Sequence, residues 1–276
     1  MTSSSGIQTV SFPVGKSVLC GRLWSGGKQL ILALHGYSNS SSLFAELAAY
    51  LRPQFTILAL DLPGHGHTRW QEDDALTYEA LRNLVETICR DYNVEKISLL
   101  GFSLGGRVAL SILKAIPERL HSMTLLAPDG LKTHPALSYT NNSWLGRFIL
   151  RDVHQKPARY QRLLQLMHRR RVVTEGVYQF LHYHLNQTAL NSTFKISGLA
   201  LRKLYPKPYQ FRKVFARYPV PVHLILGIDD PVIPVRHGTA FAAQFPQQVQ
   251  MHTLRKGHRL LTDDVFPLIL QTLSKP

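Results

Sequence analysis

The stretch that most constrains how this chain can fold is Lys-Ile-Ser-Leu-Leu-Gly-Phe-Ser-Leu-Gly-Gly at residues 96–106. A short apolar run of strand type leads directly into a Gly-x-Ser-x-Gly pentapeptide, and a helical pattern follows over residues 107–115. A serine on a sharp turn between a strand and a helix has a strained backbone, and side chains two residues to either side would collide with that turn. Gly101 and Gly105 meet this requirement. The stretch therefore predicts a strand, a tight turn and a helix, with Ser103 at the turn as a candidate nucleophile.

Further apolar runs alternate with helical patterns along most of the chain. Runs that are apolar throughout are typical of central parallel strands covered on both faces, whereas residues 18–24 alternate as a half-buried antiparallel strand does. This rhythm predicts an α/β fold. The remaining predicted strands cover residues 7–12, 29–34, 55–60, 97–100, 123–126, 220–226 and 249–254.

The formal charge of +15 is concentrated in one segment of the 276 residues. Residues 131–218 contain 16 Lys and Arg but only 2 Asp and Glu, whereas residues 1–130 contain 11 of each and residues 219–276 contain 5 and 4. The strand-helix rhythm is also broken between residues 131 and 218, where helical patterns follow one another over residues 144–150, 158–170, 174–185 and 198–204. We therefore predict an α/β core formed by 1–130 and 219–276, and a basic helical cap formed by 131–218.

Several features bear on where the protein is located. No apolar run approaches ~18 residues, the length needed to span a membrane, and residues 1–11 lack the basic start and apolar core of a secretory signal. Cys20 and Cys89 are far apart, in neither a metal-binding nor a redox spacing. We expect both to be reduced packing residues in a cytoplasmic protein. His65 and His67 are two residues apart and have no identifiable partners, so no metal site is predicted.

The loop His35-Gly36-Tyr37-Ser38-Asn39 follows the apolar run 29–34. Open α/β sheets place their chemistry at the carboxyl ends of the strands, where backbone N–H groups can bind a developing oxyanion. The N–H of Tyr37 is one candidate donor. The N–H of Leu104, directly after the candidate nucleophile and at a helix N-terminus, is the second. His35 itself is expected to hold the loop by hydrogen bonds.

A candidate acid and a candidate base follow later predicted strands. Asp229 and Asp230 lie after residues 220–226, and His258 lies after residues 249–254. With Ser103 they occur in the order serine, acid, histidine. Asp129, after another strand, is a second possible acid.

With these motifs the sequence resembles the α/β-hydrolase superfamily, in particular members with a helical cap after the sixth strand. The resemblance covers nearly the whole chain and implies an eight-stranded, mostly parallel sheet flanked by helices. It implies Ser103 as nucleophile, Asp230 as acid and His258 as base, with no cofactor and no metal. Asp230 is preferred to Asp229 because family members commonly carry the acid three residues after the glycine, here Gly227. The motifs are His35-Gly36, Asp61-Leu62-Pro63-Gly64-His65-Gly66, Gly101-Phe102-Ser103-Leu104-Gly105-Gly106, Gly227-Ile228-Asp229-Asp230-Pro231-Val232-Ile233-Pro234 and Gly257-His258.

The residue types in this pattern point to acyl transfer. A histidine that removes the serine proton and a carboxylate that orients the histidine together turn a weak nucleophile into an effective one. We predict hydrolysis of a carboxylic ester of a small molecule through an acyl-enzyme on Ser103. The alternatives are an ester or thioester linked to an acyl carrier, an amide, a carbon–carbon bond of the meta-cleavage-product type, and a non-catalytic ligand-binding protein of the same fold.

The basic cap permits a second hypothesis, about partners. Runs such as residues 169–171 could attract an anionic membrane surface or an acyl-carrier protein, or could form a solvated helical face. No motif of a nucleic-acid-binding domain accompanies the charge, so nucleic acid is not expected as a partner.

Overall fold

The computed structural model describes residues 7–71, 74–132, 144–173, 175–186 and 188–274. Eight strands form one sheet in the order β1-β2-β4-β3-β5-β6-β7-β8. The eight-stranded, mostly parallel sheet implied by the family resemblance is confirmed. The strands are β1 (Ile7–Val14), β2 (Ser17–Trp24), β3 (Gln29–Leu34), β4 (Phe55–Leu60), β5 (Ile97–Phe102), β6 (Leu120–Leu126), β7 (Val222–Gly227) and β8 (Val249–Leu254).

The two strands at the start of the chain run antiparallel to their neighbours, and β3 to β8 run parallel. Because parallel strands point the same way, the carboxyl ends of β3 to β8 lie along one edge of the sheet. We call this edge the carboxyl edge. Every loop that carries a candidate site residue begins there.

Helices cover both faces of the sheet, as the continuous apolarity of the central strands requires. Successive side chains of β3 point to opposite faces of the sheet. Leu32 packs with the helices of one face, and Ile31 packs with those of the other. Helices α2, α3, α8 and α9 lie on the first face, and α1 and α10 lie on the second. The core helices are α1 (Ala45–Leu51), α2 (Tyr78–Asp91), α3 (Leu104–Ala115), α8 (Phe211–Arg217), α9 (Val235–Ala242) and α10 (Phe266–Ser274).

Four helices between β6 and α8 pack against one another within the segment predicted to be the cap. Helix α4 contacts α5 and α7, and α6 contacts α5 and α7, so the four form a small bundle. They are α4 (Trp144–Gln155), α5 (Pro157–Arg169), α6 (Glu175–Asn186) and α7 (Thr188–Ala200).

Two helix boundaries differ from the sequence-based prediction. Helix α3 begins at Leu104 rather than residue 107, so its first turn contains Gly105 and Gly106, which have weak helix propensity and pack closely against neighbouring residues. Helix α7 covers Thr188–Ala200, whereas the prediction placed a helix over residues 198–204. The Asn, Ser and Thr residues of this segment have weak helix propensity, which packing in the bundle overrides.

Two further observations concern the location predicted from the sequence. Cys20 and Cys89 are both buried and unpaired. Across the described ranges, no helix combines the length and apolarity that a membrane crossing requires.

Candidate active site

The carboxyl edge brings together three side chains that are far apart in sequence. Ser103 directly follows β5, Asp230 lies in the loop after β7, and His258 lies in the loop after β8. Since β5 and β7 both pair with β6, and β8 pairs with β7, these loops lie side by side. This is the edge where open α/β sheets place their ligands.

Ser103 occupies a strained turn, with φ of 50° and ψ of −114°. Few non-glycine residues adopt a positive φ, and here the Ser103 N–H is tied to β6 by a 3.0 Å hydrogen bond to the Leu126 carbonyl. A Cβ on Gly105 would lie 2.0 Å from the Leu34 carbonyl oxygen, and a Cβ on Gly101 would lie 2.9 Å from a Cα atom in the first turn of α3. Only glycine fits at both positions, so the Gly-x-Ser-x-Gly pattern of residues 101–105 has a steric cause.

Two consecutive hydrogen bonds connect Ser103, His258 and Asp230. The Ser103 Oγ lies 3.0 Å from His258 Nε2, and His258 Nδ1 lies 2.7 Å from Asp230 Oδ2. Both distances are within ordinary hydrogen-bonding range. The arrangement satisfies the geometric requirement for a serine activated by a base that a third group orients.

The Asp230 carboxylate is held on both oxygens. Its Oδ1 accepts hydrogen bonds from the backbone N–H groups of Val232 (2.7 Å) and Ile233 (2.9 Å), which leaves Oδ2 for His258. The side chain of Asp230 is fully buried, whereas 24% of the His258 side chain is exposed. Asp230 is therefore enclosed, and His258 lies closer to solvent.

The two other candidate acids lie elsewhere. Asp229 is exposed, and its N–H donates to the Lys256 carbonyl. Asp129 Oδ2 lies 3.4 Å from Arg107 Nε, and the Asp129 N–H donates to the Ser103 carbonyl at 2.9 Å. The described contacts of Asp129 thus support the serine turn through the backbone and pair its carboxylate with an arginine.

The loop after β3 lies directly beside the serine. A Cβ on Gly36 would lie 3.2 Å from the Cβ of Ser103, and Tyr37 is the next residue along this loop. Leu104 is the first residue of α3, where the helix dipole favours negative charge. Both predicted oxyanion donors therefore belong to segments that adjoin Ser103.

Two buried histidines shape this loop. His35 accepts a 2.9 Å hydrogen bond from the Leu62 N–H on Nε2, and its Nδ1 donates to the Gly36 carbonyl at 2.7 Å. In the same way, His65 accepts from the Ser38 N–H at 3.1 Å and donates to the Pro63 carbonyl at 3.0 Å. The structural role expected of His35 is confirmed.

The role of His65 was missed in the sequence, where it was considered only as a metal ligand. Both of its nitrogens are used by backbone groups, and one of them holds Ser38, a residue with φ of 60°. Residues 38 and 65 are 27 positions apart, and no local sequence pattern predicts a hydrogen bond at that separation. The only signal in the sequence was the placement of a histidine in a Pro-Gly turn after a buried strand.

The hydrogen bonds of both histidines require neutral imidazoles. A proton added to either Nε2 would face a backbone N–H. Burial is the main cause that lowers the pKa of His35 to about 3, with a smaller contribution from the neighbouring His65 and opposing effects of Gly36 and Asp61. Burial also lowers the pKa of His65.

The low pKa of His35 predicts that acid weakens the fold. Because the unfolded chain binds a proton near pH 6.5 and the folded chain only near pH 3, the stabilisation is complete above pH 6.5 and is lost as the pH falls towards 3. We expect His35 to reduce the free energy of unfolding by about 1.4 kcal/mol per pH unit in this window. Urea denaturation at a series of pH values measures this slope.

Two comparisons isolate the histidine responsible for that slope. The variant His35→Gln should show a shallower slope, whereas His121→Gln, at an exposed position, should leave the slope unchanged. If His35→Gln does not fold, an NMR titration of the unmodified protein replaces it. A His35 imidazole that protonates near pH 6.5 would contradict the prediction.

Asp61 stabilises the turn after β4. Its carboxylate accepts hydrogen bonds from the N–H groups of Ser41 (2.6 Å) and His67 (2.9 Å). Within the described ranges, no group of three or more His, Cys, Asp or Glu side chains could hold a metal ion.

Helices α6 and α7 contact the loops around the site. A Cβ on Gly176 of α6 would lie 2.0 Å from the carbonyl oxygen of Pro231, the residue after Asp230. Helix α7 packs on the turn after β4, where a Cβ on Gly64 would lie 3.1 Å from the Thr193 carbonyl oxygen. The helical segment therefore borders the carboxyl edge beside the acid.

Comparisons with known proteins identify the family of this architecture. A family model described as alpha/beta hydrolase fold matches residues 29–263. The uncharacterized hydrolase YugF of Bacillus subtilis is 25% identical over 236 residues, which cover 84% of each chain.

Two solved structures share the fold at lower identity. A thermophilic esterase from Thermogutta terrifontis has a TM-score of 0.69 and 19% identity, with 97% of this chain and 98% of that chain covered. A meta-cleavage product hydrolase from Pseudomonas fluorescens has a TM-score of 0.61 and 17% identity, with 96% and 97% covered. Since the two differ in the bond they act on, likeness of fold does not select between ester and carbon–carbon hydrolysis.

Proposed function

This chain belongs to the α/β-hydrolase family, and from that premise we propose that it is a serine hydrolase that cleaves carboxylic esters through an acyl-enzyme on Ser103. The observation that carries the proposal is the hydrogen-bonded chain from the Ser103 Oγ through His258 to Asp230, with distances of 3.0 and 2.7 Å. The serine also argues against relatives that use aspartate at this turn. Asp230 is the proposed acid, and Asp129 and Asp229 are assigned no catalytic role.

In the first half of the reaction the Ser103 Oγ attacks the ester carbonyl carbon. His258 Nε2 accepts the hydroxyl proton as the new C–O bond forms, and Asp230 stabilises the resulting imidazolium through Nδ1. When the tetrahedral intermediate collapses, the bond to the alcohol breaks and His258 returns the proton to the leaving oxygen. The acyl group remains on Ser103.

Backbone N–H groups of Tyr37 and Leu104 are the proposed donors to the oxyanion. Each such donor contributes ~3 kcal/mol to the stabilisation of the transition state in enzymes of this kind. In the second half of the reaction His258 deprotonates a water molecule, which attacks the acyl carbon. The bond from that carbon to the Ser103 Oγ then breaks, His258 returns the proton to Oγ, and the carboxylic acid is released. The His65 contact to Ser38 positions the loop that carries Tyr37, so His65 is a positioning residue in this scheme.

A carboxylic ester is the proposed substrate because its hydrolysis needs only these parts. An amide has a poorer leaving group, and hydrolysis of a carbon–carbon bond needs groups that stabilise a carbanion. The esterase from Thermogutta terrifontis, similar in fold, is consistent with this choice.

A series of p-nitrophenyl esters tests the proposal. We expect turnover of the acetate, butyrate, octanoate and dodecanoate esters to differ in kcat/KM, with measurable hydrolysis of at least the best of them. Matched assays use a short acyl thioester, a p-nitroanilide and a meta-cleavage dienoate. A preference for the ester by about tenfold or more corresponds to at least ~1.4 kcal/mol of differential transition-state binding.

Other outcomes would replace the proposal. Turnover of the dienoate alone would assign carbon–carbon hydrolysis, and turnover of the thioester alone would assign a thioesterase. If no substrate is turned over and a fluorophosphonate does not label Ser103, the chain is a non-catalytic member of the fold.

A further inference from the structure

Helix α5 presents an unusual combination of side chains to solvent. Its exposed face contains Arg159, Arg162, Leu163, Leu166, Arg169 and Arg170, at the three- and four-residue spacings of one helical face. The opposite face includes the buried Leu164. We call these six exposed residues the α5 face. From residue 159 to residue 170 it extends over about 17 Å along the helix axis.

The charge of this face is not neutralised within the segment that carries it. Residues 131–218 contain only two acidic side chains, Asp152 and Glu175. Asp152 pairs with Lys156 (3.2 Å) and Arg159 (3.6 Å) and accepts a hydrogen bond from a tyrosine. Glu175 accepts hydrogen bonds from His168 (2.7 Å) and a glutamine.

Three arginines of the α5 face consequently form no ion pair among the described residues. Over the ranges that the structure describes, no acidic side chain forms an ion pair with Arg162, Arg169 or Arg170. The matching negative charge must come from another molecule or from salt.

Apolar side chains lie among these arginines. Leu163 and Leu166 are 49% and 46% exposed, and Val172, just beyond the end of the helix, is 65% exposed. The adjacent helix α4 exposes Phe148 and Ile149. A purely solvated basic face would not be expected to expose two leucines among its arginines.

The α5 face is separated from the candidate site by one helix. Helix α5 packs on α6, and Gly176 of α6 touches Pro231 beside Asp230. Helix α5 is thus linked through α6 to the loop that carries Asp230.

We propose that the α5 face docks this protein on an anionic membrane surface. The guanidinium groups of Arg162, Arg169 and Arg170 bind lipid phosphates, and the apolar side chains enter the boundary between headgroups and acyl chains. Arginine suits this position because its aliphatic stem packs beside leucine while its charged end reaches the phosphates. An acidic carrier protein is the other partner of matching charge. The leucines that lie between the arginines favour a lipid boundary.

Sedimentation with vesicles of diether lipids tests this inference, because the enzyme cannot hydrolyse ether-linked chains. Vesicles of phosphatidylcholine alone are compared with vesicles containing about one quarter phosphatidylglycerol. We expect strong binding only to the anionic vesicles in about 20 mM salt, and loss of most binding in about 0.5 M salt. The measurement does not depend on catalysis, so its failure would leave the proposed hydrolase function intact.

Matched variants locate the binding surface. Removing three charges by Arg162→Gln, Arg169→Gln and Arg170→Gln should weaken binding about a hundredfold. The control variant removes three exposed charges outside the cap, by Lys16→Gln, Lys28→Gln and Lys96→Gln. It should change vesicle binding by less than about threefold. Leu163→Ser with Leu166→Ser should weaken binding about tenfold. Hydrolysis of a soluble ester and circular dichroism establish that each variant is folded.

Three results would overturn the inference. The first is equal binding to neutral and anionic vesicles. The second is an equal loss of binding in the α5 variant and in the lysine variant, which would indicate that net charge alone determines binding. The third is salt-sensitive binding to an acyl-carrier protein, measured by calorimetry, without binding to the anionic vesicles.

Discussion

Replacing Ser103 by alanine is expected to lower kcat for ester hydrolysis by about 10⁵- to 10⁶-fold. Without the Oγ no acyl-enzyme forms, and only the oxyanion donors and substrate binding remain to accelerate direct attack by water. The backbone at residue 103 has φ of 50°, which costs alanine about as much as serine, so stability should change little. Steady-state kinetics with the best p-nitrophenyl ester measures the loss, and thermal denaturation measures stability.

A second serine of α3 supplies the control. Ser111 is fully buried and donates a hydrogen bond to the Arg107 carbonyl, away from the candidate site. Ser111→Ala should retain turnover within about threefold, because the hydrogen bonds that it removes, to the Arg107 carbonyl and to Tyr78, do not involve Ser103, His258 or Asp230. A fluorophosphonate should label the unmodified protein and Ser111→Ala at Ser103, and should leave Ser103→Ala unlabelled.

The labelling experiment also separates two kinds of failure. Ester turnover that survives Ser103→Ala at more than about a tenth of the original rate would contradict an acyl-enzyme on this residue. Label found on another serine would identify the actual nucleophile. Loss of both turnover and cooperative unfolding in Ser103→Ala alone would indicate a structural role for the hydroxyl.

The parts of the fold that could be predicted from sequence are those with a local physical cause. Continuous apolar runs predicted β3 and β4 at the residues where the structure has them, because a strand covered on both faces needs apolar side chains throughout. Glycines at 101 and 105 indicated the turn at Ser103, because the backbone there leaves no room for a Cβ.

Features that depend on packing between distant segments could not be predicted in this way. Helix α7 was misplaced because its residues have little intrinsic preference for a helix and are held there by the bundle. His65 was not recognised as a support of the loop after β3 because its partner Ser38 is 27 residues away. The contact of α6 with Pro231 likewise depends on a tertiary approach that no periodicity records.

The choice of acid shows where sequence reasoning ends. Asp229 and Asp230 are adjacent, follow the same strand and satisfy the same chain order. Only the coordinates distinguish an exposed carboxylate from one whose oxygens face His258 and two backbone N–H groups. The family resemblance favoured Asp230 because the acid commonly lies three residues after the glycine, here Gly227. The proposal rests on that spacing together with this geometry.

Asp230→Asn is expected to lower kcat by about 10⁴-fold with little change in KM. The N–H groups of Val232 and Ile233 require an acceptor, so the amide oxygen takes the place of Oδ1 and the NH₂ group faces His258. His258 Nδ1 must then accept a hydrogen bond, which leaves the proton on Nε2, opposite the Ser103 Oγ. In this tautomer the imidazole cannot remove the serine proton. Steady-state kinetics across pH measures the loss of kcat.

Asp229→Asn is the matched control, because it removes the same charge from the neighbouring residue. Its carboxylate is exposed, so turnover should remain within about twofold. Asp129→Asn tests the remaining acid and should cost far less than Asp230→Asn, since the described partner of its carboxylate is Arg107. If Asp129→Asn instead caused the larger loss, the acid would follow β6, and His258 would have to change its hydrogen-bond partner during catalysis. Equal losses in all three variants would mean that negative charge near the carboxyl edge, rather than the tautomer of His258, controls the reaction.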